Sequence, residues 1–224
     1  MEETPRSRLD AGTVLAVVAT LVVAAAGFFA WRVSPRATYY VIGAAYAPVV
    51  AASLLYLWRA ELFTPTLRWE QGDITRGTVA GAAALAVTYG VAILGVKLAP
   101  AMCARDLEGI LKVAITVPTP TRVAILVCAA IAEEVVFRGA VTSGLERRFG
   151  SRYAPWIASA LFAVAVAGTR HPSLIVAAVP LTLVTGYLRA SSGRVMPAIL
   201  AHVTFSWFAA EMLLPLVIRK LLEG

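Results

Sequence analysis

Long apolar runs recur along the whole chain, and the polar positions that break them cluster rather than alternate. Continuous runs of about 20 apolar residues read as membrane-crossing helices, whereas a membrane β-barrel would alternate with period two. Residues 11–31 form the first run, rich in Ala and Val. It is too long, and lacks the cleavage region, for a secretory signal. After a short loop, residues 39–58 form a second span with interfacial aromatics at both ends. Residues 59–77, with Pro65, Trp69 and mixed charges, are expected to lie at the interface. Residues 78–98 form a third span whose small side chains allow close helix packing.

Residues 99–120 carry Arg105, Asp106, Glu108 and Lys112 and predict a loop with a short surface helix, closed by Val117-Pro118-Thr119-Pro120. Thr121 is a capping residue type for a fourth span ending near Gly144. Glu146, Arg147, Arg148 and Arg152 form a charged connection. A fifth span runs from about Pro155 to Ala167, and a sixth covers 172–189 with Pro180 as a kink. Gly193 marks a tight turn before a seventh span, 195–218. The pattern therefore predicts an all-α fold, a polytopic transmembrane helix bundle of about seven spans behind a polar tail at 1–10. It shows no internal repeat and reads as a single membrane domain.

Composition agrees. Of 224 residues, 59% are hydrophobic and 15% charged, and the mean hydropathy is +0.78, as a polytopic membrane protein requires. The net charge of +7 is spread among loops, which suits a lipid bilayer with anionic head groups. No basic patch is interleaved with aromatics, so nucleic acid is excluded as a partner. Cys103 and Cys128 have no metal-site spacing and imply no disulfide framework; Cys128 is expected to be buried in its helix. The loops after the fourth and sixth spans hold more Arg than 168–171 between them, which places the inner end of the fourth span on the cytoplasmic side.

Candidate chemistry lies in that fourth span, at Ala132-Glu133-Glu134-Val135-Val136-Phe137-Arg138. An ionisable group at membrane depth costs about 2.5–3.5 kcal/mol on insertion scales, so each is a functional candidate by default. Glu134 and Arg138 stand four apart on one helical face, acid before base, and form a local pair. Glu133 is turned about 100° away and must find its partner on another helix or in water. An unpaired carboxylate in low dielectric is a candidate general base. On the last span His202 and Ser206 also share a face. His202 reads either as a site member or as a buried histidine satisfied by a carbonyl, and Glu211 as an interfacial carboxylate.

Glu133-Glu134-x-x-x-Arg138 followed by Gly139, an apolar helix, and then His202-x-x-x-Ser206 resembles the CPBP family, which contains the CAAX prenyl proteases and the bacterial Abi-type proteins. Gly186-Tyr187-Leu188-Arg189 and the run from Ser192 to His202 look like that family's turn between its last two core helices. The resemblance covers 121–211, and divides the chain into N-terminal spans and interfacial loops (1–120) and a family core (121–219). It implies an intramembrane glutamic endopeptidase with no metal or other cofactor, acting on a membrane-anchored protein or peptide in the bacterial inner membrane. Glu133 would activate water for attack on a peptide carbonyl, Glu134 and Arg138 would brace the site, and His202 and Ser206 would stabilise the oxyanion.

Two positions depart from the pattern. The family's middle motif is Phe-x-x-x-His, and here Phe162 is followed by Val166. Ser206 stands where Asn or Asp is usual, a mild change because a hydroxyl still donates. His171 does not replace the missing histidine easily: it lies about 140° around and about 7.5 Å along an ideal helix from Val166. It also precedes Pro172, which disfavours helix, so His171 reads as a surface loop residue. Val166 supports an alternative, a catalytically impaired member acting as a membrane binding, immunity or regulatory protein. A third reading, a proton or cation site in a transporter, lacks the paired inverted repeats it would need.

Overall fold

The computed structural model describes residues 11–30, 32, 34–114 and 116–213. Among them every regular element is helical: α1 (Ala11–Ala30), α2 (Pro35–Arg59), α3 (Phe63–Leu67), α4 (Asp73–Leu98), α5 (Pro100–Ala114), α6 (Thr119–Glu134), α7 (Thr142–Ala167), α8 (Pro172–Ser192) and α9 (Met196–Phe208). Two π-helical stretches, Val135–Val141 and Ala209–Leu213, continue α6 and α9. The all-α bundle expected from the apolar runs is what the chain forms. The polar tail at 1–10, Trp31 and the end of the last expected span, 214–218, lie outside the described residues.

Among the described residues four helices are long and apolar enough to cross a membrane: α1, α2 over Tyr40–Arg59, α4 and α8. The other three expected spans are helical; the fourth and seventh pass into π stretches, and the fifth is the second half of a longer helix. Helix α6 passes into the π stretch at its paired glutamates, α9 has 13 residues before its own π stretch, and α7 is broken at Gly150. Gly150 has φ 75° and ψ 161°, a conformation open to glycine, and it lies within the charged connection, between Arg148 and Arg152.

Two local expectations are corrected. Thr121 does not cap the fourth span, because α6 already begins at Thr119 with Pro118 in the cap position. Pro120 in the first turn has its φ preset for helix and gives up only an N–H that would be unbonded there. Cys128 is exposed rather than buried. It lies on the outward side of α6, where a small apolar thiol suits a lipid-facing surface.

The loop after α2 is tied down by charge. Arg194, just past the left-handed turn at Gly193 (φ 69°), reaches back to the buried Asp73 at 2.7 Å and to Glu70 at 2.7 Å. The hydrogen bond to Asp73 holds the guanidinium above its ordinary pKa. These pairs lock the start of α4 to the turn before α9. Along their length the two helices meet at backbone distance: a Cβ on Gly81 would lie 2.4 Å from the carbonyl oxygen of Ala201, the residue before His202. The small residues of the third span therefore serve the close packing expected of them. Helix α7 packs against α1 and α8, and α6 against α9, which brings the charged end of α6 beside His202.

The surface segment 99–120 contains the 15-residue α5. Asp106 on α5 holds His171 (Nδ1, 2.7 Å) and accepts from the backbone N–H of Ser173 (2.7 Å). His171 is extended (φ −97°, ψ 105°) at the cap position of α8, as its following proline requires.

Candidate active site

The site is assembled where α6 gives way to the π stretch. Glu133 and Glu134 are the last residues of α6, and all seven residues from Val135 to Val141 are buried. A π turn inserts one extra residue into the helical repeat, and such bulges concentrate at functional sites. Both glutamates and Arg138 face protein rather than lipid. Glu134 and Arg138 are fully buried, while the Glu133 side chain keeps 19% exposure.

The expected Glu134–Arg138 pair is present, with Arg138 Nε 3.3 Å from Glu134 Oε2. It is an ion pair without hydrogen-bond alignment: Glu134 Oε2 and Arg138 Nε and Nη1 make no hydrogen bond among the described residues. Arg138 is fixed by other means. Its Nη2 donates to Thr182 Oγ1 (2.5 Å) and to the Thr182 carbonyl (3.2 Å), and its guanidinium lies 4.9 Å from the centre of the Phe162 ring. Thr182 is itself held by Ser159, whose hydroxyl donates to the Thr182 carbonyl at 2.9 Å. Arg189 donates from Nε to the Arg138 carbonyl at 2.8 Å.

His202 lies between the two glutamates. Its Nδ1 is 2.8 Å from Glu134 Oε1, and its Nε2 is 3.5 Å from Glu133 Oε2. The ring is also packed edge-on to Phe162, with centroids 6.2 Å apart. An ionised carboxylate only accepts, so Nδ1 carries the proton it shares with Glu134 and the second nitrogen is turned toward Glu133. The distance of 3.5 Å exceeds a hydrogen bond, so Nε2 is not consumed by Glu133. Of the two glutamates, the close partner of His202 is Glu134.

The close partner of Glu133 comes from a span that showed no distinguishing motif. Tyr46, on α2, donates its hydroxyl to Glu133 Oε1 at 2.7 Å. The only signal in the sequence was a tyrosine in mid-span among Ala and Val, whose hydroxyl must find an acceptor when buried. Val166, where the resemblance expects a histidine, packs against the apolar cluster that contains Tyr46, Phe137 and Phe162.

Ser206 does not bond to this group. It lines a cavity of about 470 Å³ with an almost wholly apolar wall that includes Ile42, Leu126, Phe205 and Arg122. Glu133, His202 and Tyr46 are not in that wall. Ile42 and Ser206 stand one helical turn from Tyr46 and His202, and Leu126 two turns from Glu133, so the cavity adjoins the cluster. Glu211 pairs with Arg122 at 2.7 Å beside the cavity, joining the far ends of α9 and α6. Among the described residues, no group of three or more His, Cys, Asp and Glu is arranged to hold a metal ion.

The described residues thus place a buried carboxylate–histidine–carboxylate cluster inside a helical bundle, next to an apolar cavity. The family model described as type II CAAX prenyl endopeptidase Rce1-like matches residues 116–208. Residues 116–208 thus match an Rce1-like domain of the CPBP family, and with its long apolar helices the chain is an integral membrane protein. No curated protein and no solved structure matches the chain.

Proposed function

We propose that the chain is an intramembrane endopeptidase in which Glu133 activates water to hydrolyse a peptide bond of a membrane-associated protein or peptide. The carrying observation is the arrangement of Glu133 Oε2 and His202 Nε2, which face each other at 3.5 Å while the opposite atom of each group is anchored by Tyr46 and Glu134. Glu133 takes a proton from water as the oxygen attacks the carbonyl carbon, and later returns it to the leaving amine. His202 Nε2–H donates to the developing oxyanion; because Nδ1–H is engaged by Glu134, this requires the doubly protonated ring. Ser206 is the second donor, reaching the carbonyl from the cavity side, and each such donor is worth ~3–4 kcal/mol of barrier. Glu134 and Arg138 hold His202 in place and touch no reacting atom.

The apolar cavity suits the hydrophobic part of a membrane-embedded substrate. Residues 121–219 form the family core within a single membrane domain, and 1–120 contribute supporting spans. The location we assign is the bacterial inner membrane, with the inner end of α6 on the cytoplasmic side. Co-expression with a membrane-anchored substrate, comparing the native chain with Glu133→Gln, tests the reading: loss of processing supports it, and equal processing overturns it.

Val166 favours a second reading, a scaffold that binds a membrane partner without turnover. It leaves the site one nitrogen base short of the family's pattern.

A further inference from the structure

The geometry points to Tyr46 as a positioning residue for the proposed hydrolysis: its hydroxyl holds one oxygen of Glu133 and thereby directs the other at water. The inference rests on the protease reading above. Three observations carry it. Tyr46 Oη is 2.7 Å from Glu133 Oε1, well inside hydrogen-bond range. Tyr46 is 9% exposed and belongs to the cluster that holds Phe137, Phe162 and Val49, so its hydroxyl cannot leave Glu133 for bulk water without repacking. The second carboxylate oxygen, Oε2, stands 3.5 Å from His202 and belongs to a side chain that retains 19% exposure.

A carboxylate acting as a base has two equivalent oxygens and a freely turning Cγ–Cδ bond. A donor fixed on Oε1 stops that rotation and leaves only Oε2 available to water, beside the nitrogen that meets the oxyanion. Such pre-orientation lowers the barrier without contributing any group to the reaction. The charged groups around Glu133 are Glu134, Arg138 and His202, and the first two neutralise each other as a pair. The Tyr46 hydroxyl is thus the one close hydrogen bond to Glu133 among the described residues, and it comes from outside the segment 116–208. In this chain α2 thus supplies Glu133 with a hydroxyl that the matched segment does not contain.

The test uses the full chain in proteoliposomes with a lipid-anchored fluorogenic peptide, comparing native protein, Tyr46→Phe and Glu133→Gln. Tyr46→Phe keeps the ring and its packing, so its unfolding temperature should fall only by what one lost hydrogen bond removes. Its kcat should fall about tenfold or more, the weight of one hydrogen bond to a charged group, with KM changed less than about twofold. The acid limb of its rate profile should move to higher pH, because a lost donor no longer favours the ionised carboxylate. A parallel measurement needs no substrate: labelling of Glu133 by dicyclohexylcarbodiimide, mapped by mass spectrometry, should speed up several-fold in Tyr46→Phe. Unchanged kcat and unchanged labelling would overturn the role of Tyr46. Equal rates for the native chain and Glu133→Gln would instead overturn the protease reading, while the labelling result would still decide whether Tyr46 holds Glu133.

Discussion

His202 is bound closely by Glu134, at 2.8 Å, and only faced by Glu133, at 3.5 Å. Adjacent glutamates in one helix therefore do different work. The fully buried one fixes the histidine, and the partly exposed one keeps an oxygen free. The division predicts opposite phenotypes for the same substitution at neighbouring positions.

Glu134→Gln removes the charge that balances a fully buried Arg138. Breaking a buried pair by deleting one partner typically costs about 3–5 kcal/mol, because the survivor stays charged and unpaired. Equilibrium unfolding in detergent should show that loss. Glu133→Gln leaves an amide oxygen for Tyr46 and should cost about 1 kcal/mol or less, while abolishing turnover.

Thr182→Val tests how Arg138 is held. The hydroxyl accepts from Nη2 at 2.5 Å, and replacing it by a methyl leaves one more donor of a buried cation unbonded. The expected loss is about 1–3 kcal/mol in unfolding free energy, with kcat reduced only as far as His202 shifts.

Gly81→Ala tests whether α4 positions the His202 face of α9. The added Cβ would meet the Ala201 carbonyl at 2.4 Å, and backbone is the part least able to give way. Overpacking of this kind costs about 1–3 kcal/mol. Because Ala201 adjoins His202, activity should fall more than stability alone would explain, measured as kcat at a temperature where the variant is fully folded.

Ser206 separates cavity from chemistry. Ser206→Ala should lower kcat by about 10² or more, as the loss of an oxyanion donor requires. Ser206→Leu should instead fill the cavity and raise KM for a substrate with a bulky apolar segment, with no loss of thermal stability. Steady-state kinetics on the lipid-anchored peptide distinguish the two.

Val166→His should raise turnover by adding a nitrogen base near the cluster that holds Tyr46, at a cost of about 1–3 kcal/mol for burying a polar ring among apolar neighbours. The same rate assay and detergent unfolding measure both effects.

The bundle was legible because membrane helices announce themselves by continuous apolar length, which owes little to tertiary context. The pairing of Glu134 with Arg138 was legible for the same reason, since a spacing of four is a local property of a helix. Which glutamate would take His202 was not, because the helical period assumed for Glu133 and Glu134 passes into a π stretch beyond them, and the approach of α9 depends on glycines in α4. Tyr46 was illegible for a different reason. One tyrosine in a run of Ala and Val carries no spacing, and only the fold shows that its hydroxyl lands on a carboxylate 87 positions away. The buried Asp73–Arg194 pair was hidden in the same manner, between the first residue of α4 and a turn 121 residues further on.

The most direct measurement is single-turnover cleavage of the lipid-anchored peptide in proteoliposomes made with ¹⁸O-labelled water, by the native chain and by Glu133→Gln. The account predicts one ¹⁸O in the new C-terminal carboxylate and a rate lower by a factor of about 10² or more in the variant. Equal rates for the two proteins, or cleavage that places no water oxygen in the product, would contradict it.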